Sequence, residues 1–148
     1  MFFKILLIAV PFIWFGAVAA ISFMEAPLKF TAPNVTLPLG LGIGYVVFHA
    51  LNKVEIVLCI LMASALFFVK PRNKNSIAVF CLIVLILFLQ TFWLFPLLDE
   101  RTMNVIAGNA KPYSNLHVFY IVFDSIKIVS LIVLGIFSIS GATKITRL

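Results

Sequence analysis

Four long apolar runs separated by short polar stretches constrain this 148-residue chain more than any other feature it has. A bilayer core about 30 Å thick is crossed by about 20 apolar residues in a helix rising about 1.5 Å per residue. Four such helices with short connections use nearly all of the 148 residues and leave no room among them for a second domain. Composition agrees, at 64% hydrophobic and 11% charged, where soluble domains run at roughly 45–50% apolar and 25% charged. The expectation is an all-α integral membrane four-helix bundle, one transmembrane domain over 1–148, with the lipid bilayer as its first partner. A soluble enzyme, a nucleic-acid-binding module and a disulfide-stapled secreted domain are excluded. The net charge of +6 does not point to nucleic acid, because it is distributed as a membrane topology would distribute it.

The expected spans are about 5–24, 42–69, 76–98 and 116–140. The first run, Ile5 to Met24, contains Pro11 and Ser22. Its Lys4 start and Ala17-Val18-Ala19 tail imitate a signal peptide, but the apolar run continues past Ala19, so an uncleaved span is expected. The second begins between Leu39 and Val46 and ends near Val69, before a Lys70-Pro71-Arg72-Asn73-Lys74 loop with its proline stop. The third runs from about Ser76 to Leu98, and the fourth from about Asn115 to Ser140, where Gly141 offers a stop. The connections Glu25 to Leu39 and Asp99 to Ser114 then share one side, where Lys29, Arg101 and Lys111 are offset by Glu25, Asp99 and Glu100. Lys4, Lys70, Arg72, Lys74, Lys144 and Arg147 gather on the other. By the positive-inside rule both termini and the central loop are cytoplasmic (N-in/C-in), which in a bacterium means the inner membrane. The hairpins are similar in length but share no motif, so no internal repeat is read. Cys59 and Cys81 lie in apolar runs without C-x-x-C spacing and read as buried small hydrophobes.

Polar residues inside apolar spans carry the functional signal. On the fourth span His117, Tyr120, Asp124 and Lys127 fall within roughly 80° of one another at helical spacing, a stripe that must face protein or water. From Asn115, Asp124 lies roughly 13 Å and Lys127 roughly 18 Å down the helix, near the bilayer centre. An unpaired lysine there costs at least about 2.5 kcal/mol. Its candidate partners are Asp124 on the same helix, Glu55 on the second span, which is the favoured one, and Glu25 if the first connection dips inward. Gln90 on the third span can add an interhelical hydrogen bond. Buried ion pairs that only fix helix register are the structural alternative to a functional site.

Glu25, His49, Asn52, Glu55, Arg101, His117, Tyr120, Asp124 and Lys127 map to the outer half of the bundle and leave the inner half almost purely apolar. They are the candidate pocket residues. Such a pocket can bind an anionic group through Lys127 and Arg101, or exchange protons through Glu55, Asp124 and the histidines. No conduction path crosses the apolar half. No cofactor is expected; haem ligation by His49 and His117, or a metal held by the two histidines with Glu25, is a minor alternative. Asn34-Val35-Thr36 matches a glycosylation sequon but reads more simply as a turn. Gly40, Gly42 and Gly44 open the second span, either for close approach to a ligand or, more simply, as a loose helix entry.

Several of these segments carry a resemblance. Ser22-Phe23-Met24-Glu25-Ala26-Pro27-Leu28-Lys29-Phe30, Val47-Phe48-His49-Ala50-Leu51-Asn52-Lys53-Val54-Glu55, Leu98-Asp99-Glu100-Arg101-Thr102 and Leu116-His117 with its aromatic helix resemble a widespread family of small four-helix membrane proteins. That family is catalogued as a domain of unknown function and includes the eukaryotic transmembrane protein 205 type. The resemblance spans most of the chain and implies a four-helix architecture without an established reaction. Asn52-Lys53-Val54-Glu55 is also similar to the N-x-x-E run of the microsomal glutathione-transferase superfamily, which implies a glutathione site. The arginine one turn before the asparagine is absent here, where Phe48 and His49 stand, and the inferred topology is inverted relative to a cytosolic glutathione site. The expected function is small-ligand binding or a transport-related role. The alternatives are an accessory subunit packing against other membrane subunits or a second copy of itself, and a glutathione-transferase-like enzyme.

Overall fold

A computed structural model describes residues 1–69, 74–109 and 115–145. The described residues are helical almost throughout, with no strand among them. Four helices are long and apolar enough to cross a membrane. They are α1 (Phe2–Thr31), α2 (Leu37–Val69), α3 (Asn75–Ile106) and α4 (Leu116–Ile145). Lys70, Arg72, Lys111, Pro112 and Arg147 lie outside the described residues.

Three of the four helices end past the residue expected from hydropathy; α2 ends at Val69 as expected but begins earlier, at Leu37. α1 continues beyond Met24 to Thr31, and α3 beyond Leu98 to Ile106, so Glu25, Asp99, Glu100 and Arg101 sit on helices and not in connections. α2 starts at Leu37, where the Thr36 hydroxyl accepts the Leu39 N–H at 3.5 Å, an N-terminal cap. Asn34 takes positive φ (66°) in the preceding turn. α3 ends in a Schellman motif: Asn109 N–H bonds the Asn104 carbonyl at 2.9 Å and Gly108 N–H the Val105 carbonyl at 3.1 Å, with Gly108 at φ 78°. Gly141 does not stop α4, which runs on to Ile145. A glycine within a helix costs only about 1 kcal/mol, which is not by itself enough to end one.

Both α1 and α3 widen into a π-helical turn directly before a proline. In α1 the turn is Ala19–Glu25 and the Ala26 N–H bonds the Ile21 carbonyl, five residues back, ahead of Pro27. In α3 it is Gln90–Leu94 and the Phe95 N–H bonds the Gln90 carbonyl ahead of Pro96. Proline has no N–H and its ring clashes with the preceding turn, so the wider turn takes up the misfit while the helix continues.

α1 packs against α2 and α4, and α3 against α4 and, mostly beyond Phe95, against α2. Near the chain termini the core is largely apolar: Leu7, Val10, Val18, Leu58, Met62, Ala65, Phe80, Ile83, Leu87, Leu131 and Leu134 form one buried cluster, and the buried serines of that half include Ser76, Ser130 and Ser138. Phe3 stacks on Phe68 at that end. The outward faces are apolar too, with Val46, Ile60, Phe67, Phe92 and Val129 all exposed, as lipid contact requires. Cys81 belongs to this outer surface and Cys59 is half-buried. The expectation that both are buried fails for Cys81, because apolarity in a span does not separate the lipid face from the core.

Candidate functional site

Midway along the bundle one polar network joins all four helices. Lys127 of α4 is fully buried, and its ammonium lies 2.6 Å from Glu55 Oε1 of α2 and 3.0 Å from Asp124 Oδ1, one turn earlier on α4. It donates a third bond to Gln90 Oε1 of α3 at 2.6 Å. The Gln90 amide in turn donates to Asp124 Oδ1 at 2.8 Å. From α1 the Trp14 indole N–H donates to Glu55 Oε1 at 2.9 Å. Three acceptors use the three N–H donors of the ammonium, and an ionised group in hydrocarbon requires that complete a shell. Glu55 and Asp124 therefore share Lys127; Glu25 is not a partner.

Two carboxylates face one ammonium in this network. One carboxylate atom, Asp124 Oδ2, is buried and has no hydrogen-bond partner among the described residues, and the same holds for Ser22 Oγ. The Tyr120 hydroxyl lies beside both Ser22 and Asp124.

Asp124, Tyr120 and Ser22 form the inner end of a cavity of about 540 Å³ on the side of the network away from the termini. Its walls come from α1 (Phe23 to Phe30), α2 (Gly40 to Phe48), α3 (Phe95 to Val105) and α4 (His117 to Ile121). Aromatic contacts stiffen them: Phe48 meets Tyr120 edge-on with ring centroids 5.1 Å apart, and Phe95 lies 5.8 Å from Tyr120. Lys29, Asp99, Arg101 and His117 supply charged or polar groups towards the mouth.

Gly40 makes that shape possible. A Cβ there would collide with the Phe30 ring, so the glycine admits the end of α1. A Cβ at Gly44 would lie 2.7 Å from Lys29 Nζ, the flexible end of a side chain that can move aside, and Gly42 has only Ile106 at 3.8 Å. All three sit in the first turns of α2, at its entry, and the close approach that Gly40 permits is that of the Phe30 ring.

The nine candidate residues divide into three groups. Arg101, His117, Tyr120 and Asp124 line the cavity. Glu55 and Lys127 belong to the network beneath it. Glu25, His49 and Asn52 are engaged at its edge: Glu25 pairs with Lys29 at 3.4 Å, His49 Nε2 lies 2.9 Å from Asp99 Oδ2, and the Asn52 amide donates to Thr91 Oγ1 at 2.8 Å. Among the described residues no three His, Cys, Asp or Glu side chains come together as a metal-holding group. His49 is oriented by Asp99 and stacks on Phe95 at 5.2 Å.

Sequence reasoning left Trp14, Ser22, Lys29, Thr91 and Asp99 out of the candidate pocket residues, reading Lys29 and Asp99 as connection charges. Trp14 and Ser22 are ordinary in an apolar run, and no periodicity marks them. Asp99 had a readable signal, since Pro96 suits the first turn of a continuing helix as well as a stop. Comparison with family models, curated proteins and solved structures gives no match for this chain.

Proposed function

We propose that this chain is a multi-pass membrane protein that binds a small ligand in the cavity above the Lys127 network, with a binding or transport-related role. The carrying observation is that an apolar-walled cavity of about 540 Å³ ends on the buried, partly unpartnered carboxylate of Asp124. Pockets of a few hundred Å³ with apolar walls and a few convergent polar groups are the usual form of a ligand site, and ionisable groups inside a membrane mark such sites by default. By the positive-inside rule the cavity opens away from the cytoplasm and both termini are cytoplasmic. The apolar core on the terminal side supports binding from one side over a continuous conduction path.

The anionic ligand considered from sequence loses one of its two cations, because Lys127 spends its donors on Glu55, Gln90 and Asp124. A glutathione site on Asn52 and Glu55 finds little support either: neither lines the cavity, and both are bonded to neighbouring helices. The accessory-subunit reading draws on Lys53, an exposed cation on the lipid-facing side of α2 that an acidic group of another membrane subunit would neutralise.

Affinity selection of a small-molecule mixture on the protein in nanodiscs tests the reading, with Gly44→Phe as the blocked form. Compounds retained by the wild type and lost from Gly44→Phe are expected. Retention equal in the two proteins would contradict a ligand in this cavity.

A further inference from the structure

The cavity's inner end has a chemistry that its mouth does not share. Asp124 is fully buried, its Oδ1 is saturated by Lys127 and Gln90, and its Oδ2 has no partner. Ser22 Oγ, at the same end on α1, has none either. A buried acceptor left unpaired keeps its whole desolvation penalty, and the penalty is larger when the group is charged. The network also holds two carboxylates against one ammonium, so with both ionised it carries an excess negative charge where the surroundings are least able to solvate it. The protein donor beside both atoms is the Tyr120 hydroxyl, which is neutral and leaves that charge uncompensated, so the group that would complete the site is a donor that brings positive charge.

The walls fit the same description. Phe48 and Tyr120 meet edge-on beside Asp124, and rings of this kind attract a cation over their faces. Phe48 already does so within the chain: the Lys29 ammonium lies 5.3 Å from its centroid. Lys29 is itself paired with Glu25, so it does not answer the charge at Asp124.

We infer that the cavity takes a lipophilic amine, its ammonium donating to Asp124 Oδ2 and Ser22 Oγ and its apolar body lying against the aromatic walls. The inference rests on the ligand-binding reading above and names the ligand class. A proton on Asp124 would also cancel the charge, but it would turn Oδ2 into a donor and favour ligands that accept hydrogen bonds.

Three matched probes separate these cases: 4-phenylbutylamine, 4-phenylbutan-1-ol and 4-phenylbutanoate. Their calorimetric titrations of the wild-type protein in nanodiscs are read as differences from Gly44→Phe, which removes partitioning into lipid. The amine is expected to bind about tenfold or more tightly than the alcohol, the scale of one charge-assisted hydrogen bond. Ser22→Ala, which leaves the Lys127 network intact, should reduce that preference, and Asp124→Asn should abolish it. Equal binding of amine and alcohol, or a preference for the carboxylate, would overturn the amine assignment while leaving a ligand site in place. Binding of none of the three would overturn both readings.

Discussion

The ammonium of Lys127 lies 2.6 Å from Glu55 on α2 and 3.0 Å from Asp124 on its own helix, and it is shielded from all solvent. Lys127→Met should therefore leave two buried carboxylates uncompensated and cost roughly 3–5 kcal/mol if the site is dry. Unfolding in mixed micelles measures the loss. Adding Glu55→Gln or Asp124→Asn should each recover part of it, because both share the one cation. Strictly additive losses in both cycles would refute the shared pairing.

Trp14 is fully buried and donates to the same Glu55 oxygen at 2.9 Å. Trp14→Phe keeps most of the ring volume and removes the donor. A hydrogen bond to a charged group is worth about 1.5–3 kcal/mol, and a loss of that order is expected. Trp93 is 46% exposed, and its replacement by Phe should change stability by no more than about 0.5 kcal/mol. The pair is compared by thermal unfolding followed by circular dichroism.

Two glycines on the helices predict opposite signs. A Cβ at Gly135 of α4 would lie 2.6 Å from the Phe12 ring of α1, whereas one at Gly16 meets nothing within 4 Å. Gly135→Ala should lower the melting temperature. Gly16→Ala should leave it unchanged or raise stability by up to about 1 kcal/mol through helix propensity.

Orientation is checked by cysteine labelling after Cys59 and Cys81 are replaced. Asn109→Cys, at the cavity end of the bundle, should react with an impermeant maleimide applied to intact cells. Asn75→Cys, near the opposite end of α3, should react only after lysis. The reverse pattern would place the cavity on the cytoplasmic side.

Much of this arrangement was legible in the residues. Four helices follow from hydropathy, and Lys127 had to find a carboxylate because its depth left no other stable state. Of the stripe His117, Tyr120, Asp124 and Lys127, the last three are buried and face the interior, while His117 is exposed. What hydropathy could not supply was choice among partners. The bonds from Trp14 to Glu55, Asn52 to Thr91 and His49 to Asp99 join residues 41, 39 and 50 positions apart. Such pairings depend on helix rotation and height, which no single-span pattern encodes. The π turns before Pro27 and Pro96 change that rotation partway along α1 and α3, so the face continued from a regular 3.6-residue period is displaced beyond them. Helix ends were hidden by the same prolines and by charged residues such as Asp99 and Arg101, which suit an interfacial helical turn as well as a loop.

The central claim is a one-sided cavity reaching inward as far as Ser22 and Asp124. Its most direct test is the reaction rate of Ser22→Cys with a small charged methanethiosulfonate, in a protein freed of its native cysteines, against that of Ala65→Cys in the sealed apolar core. The account predicts that Ser22→Cys is modified from the cavity side alone, is slowed by 4-phenylbutylamine, and that Ala65→Cys stays unmodified. A Ser22→Cys as unreactive as Ala65→Cys would contradict it.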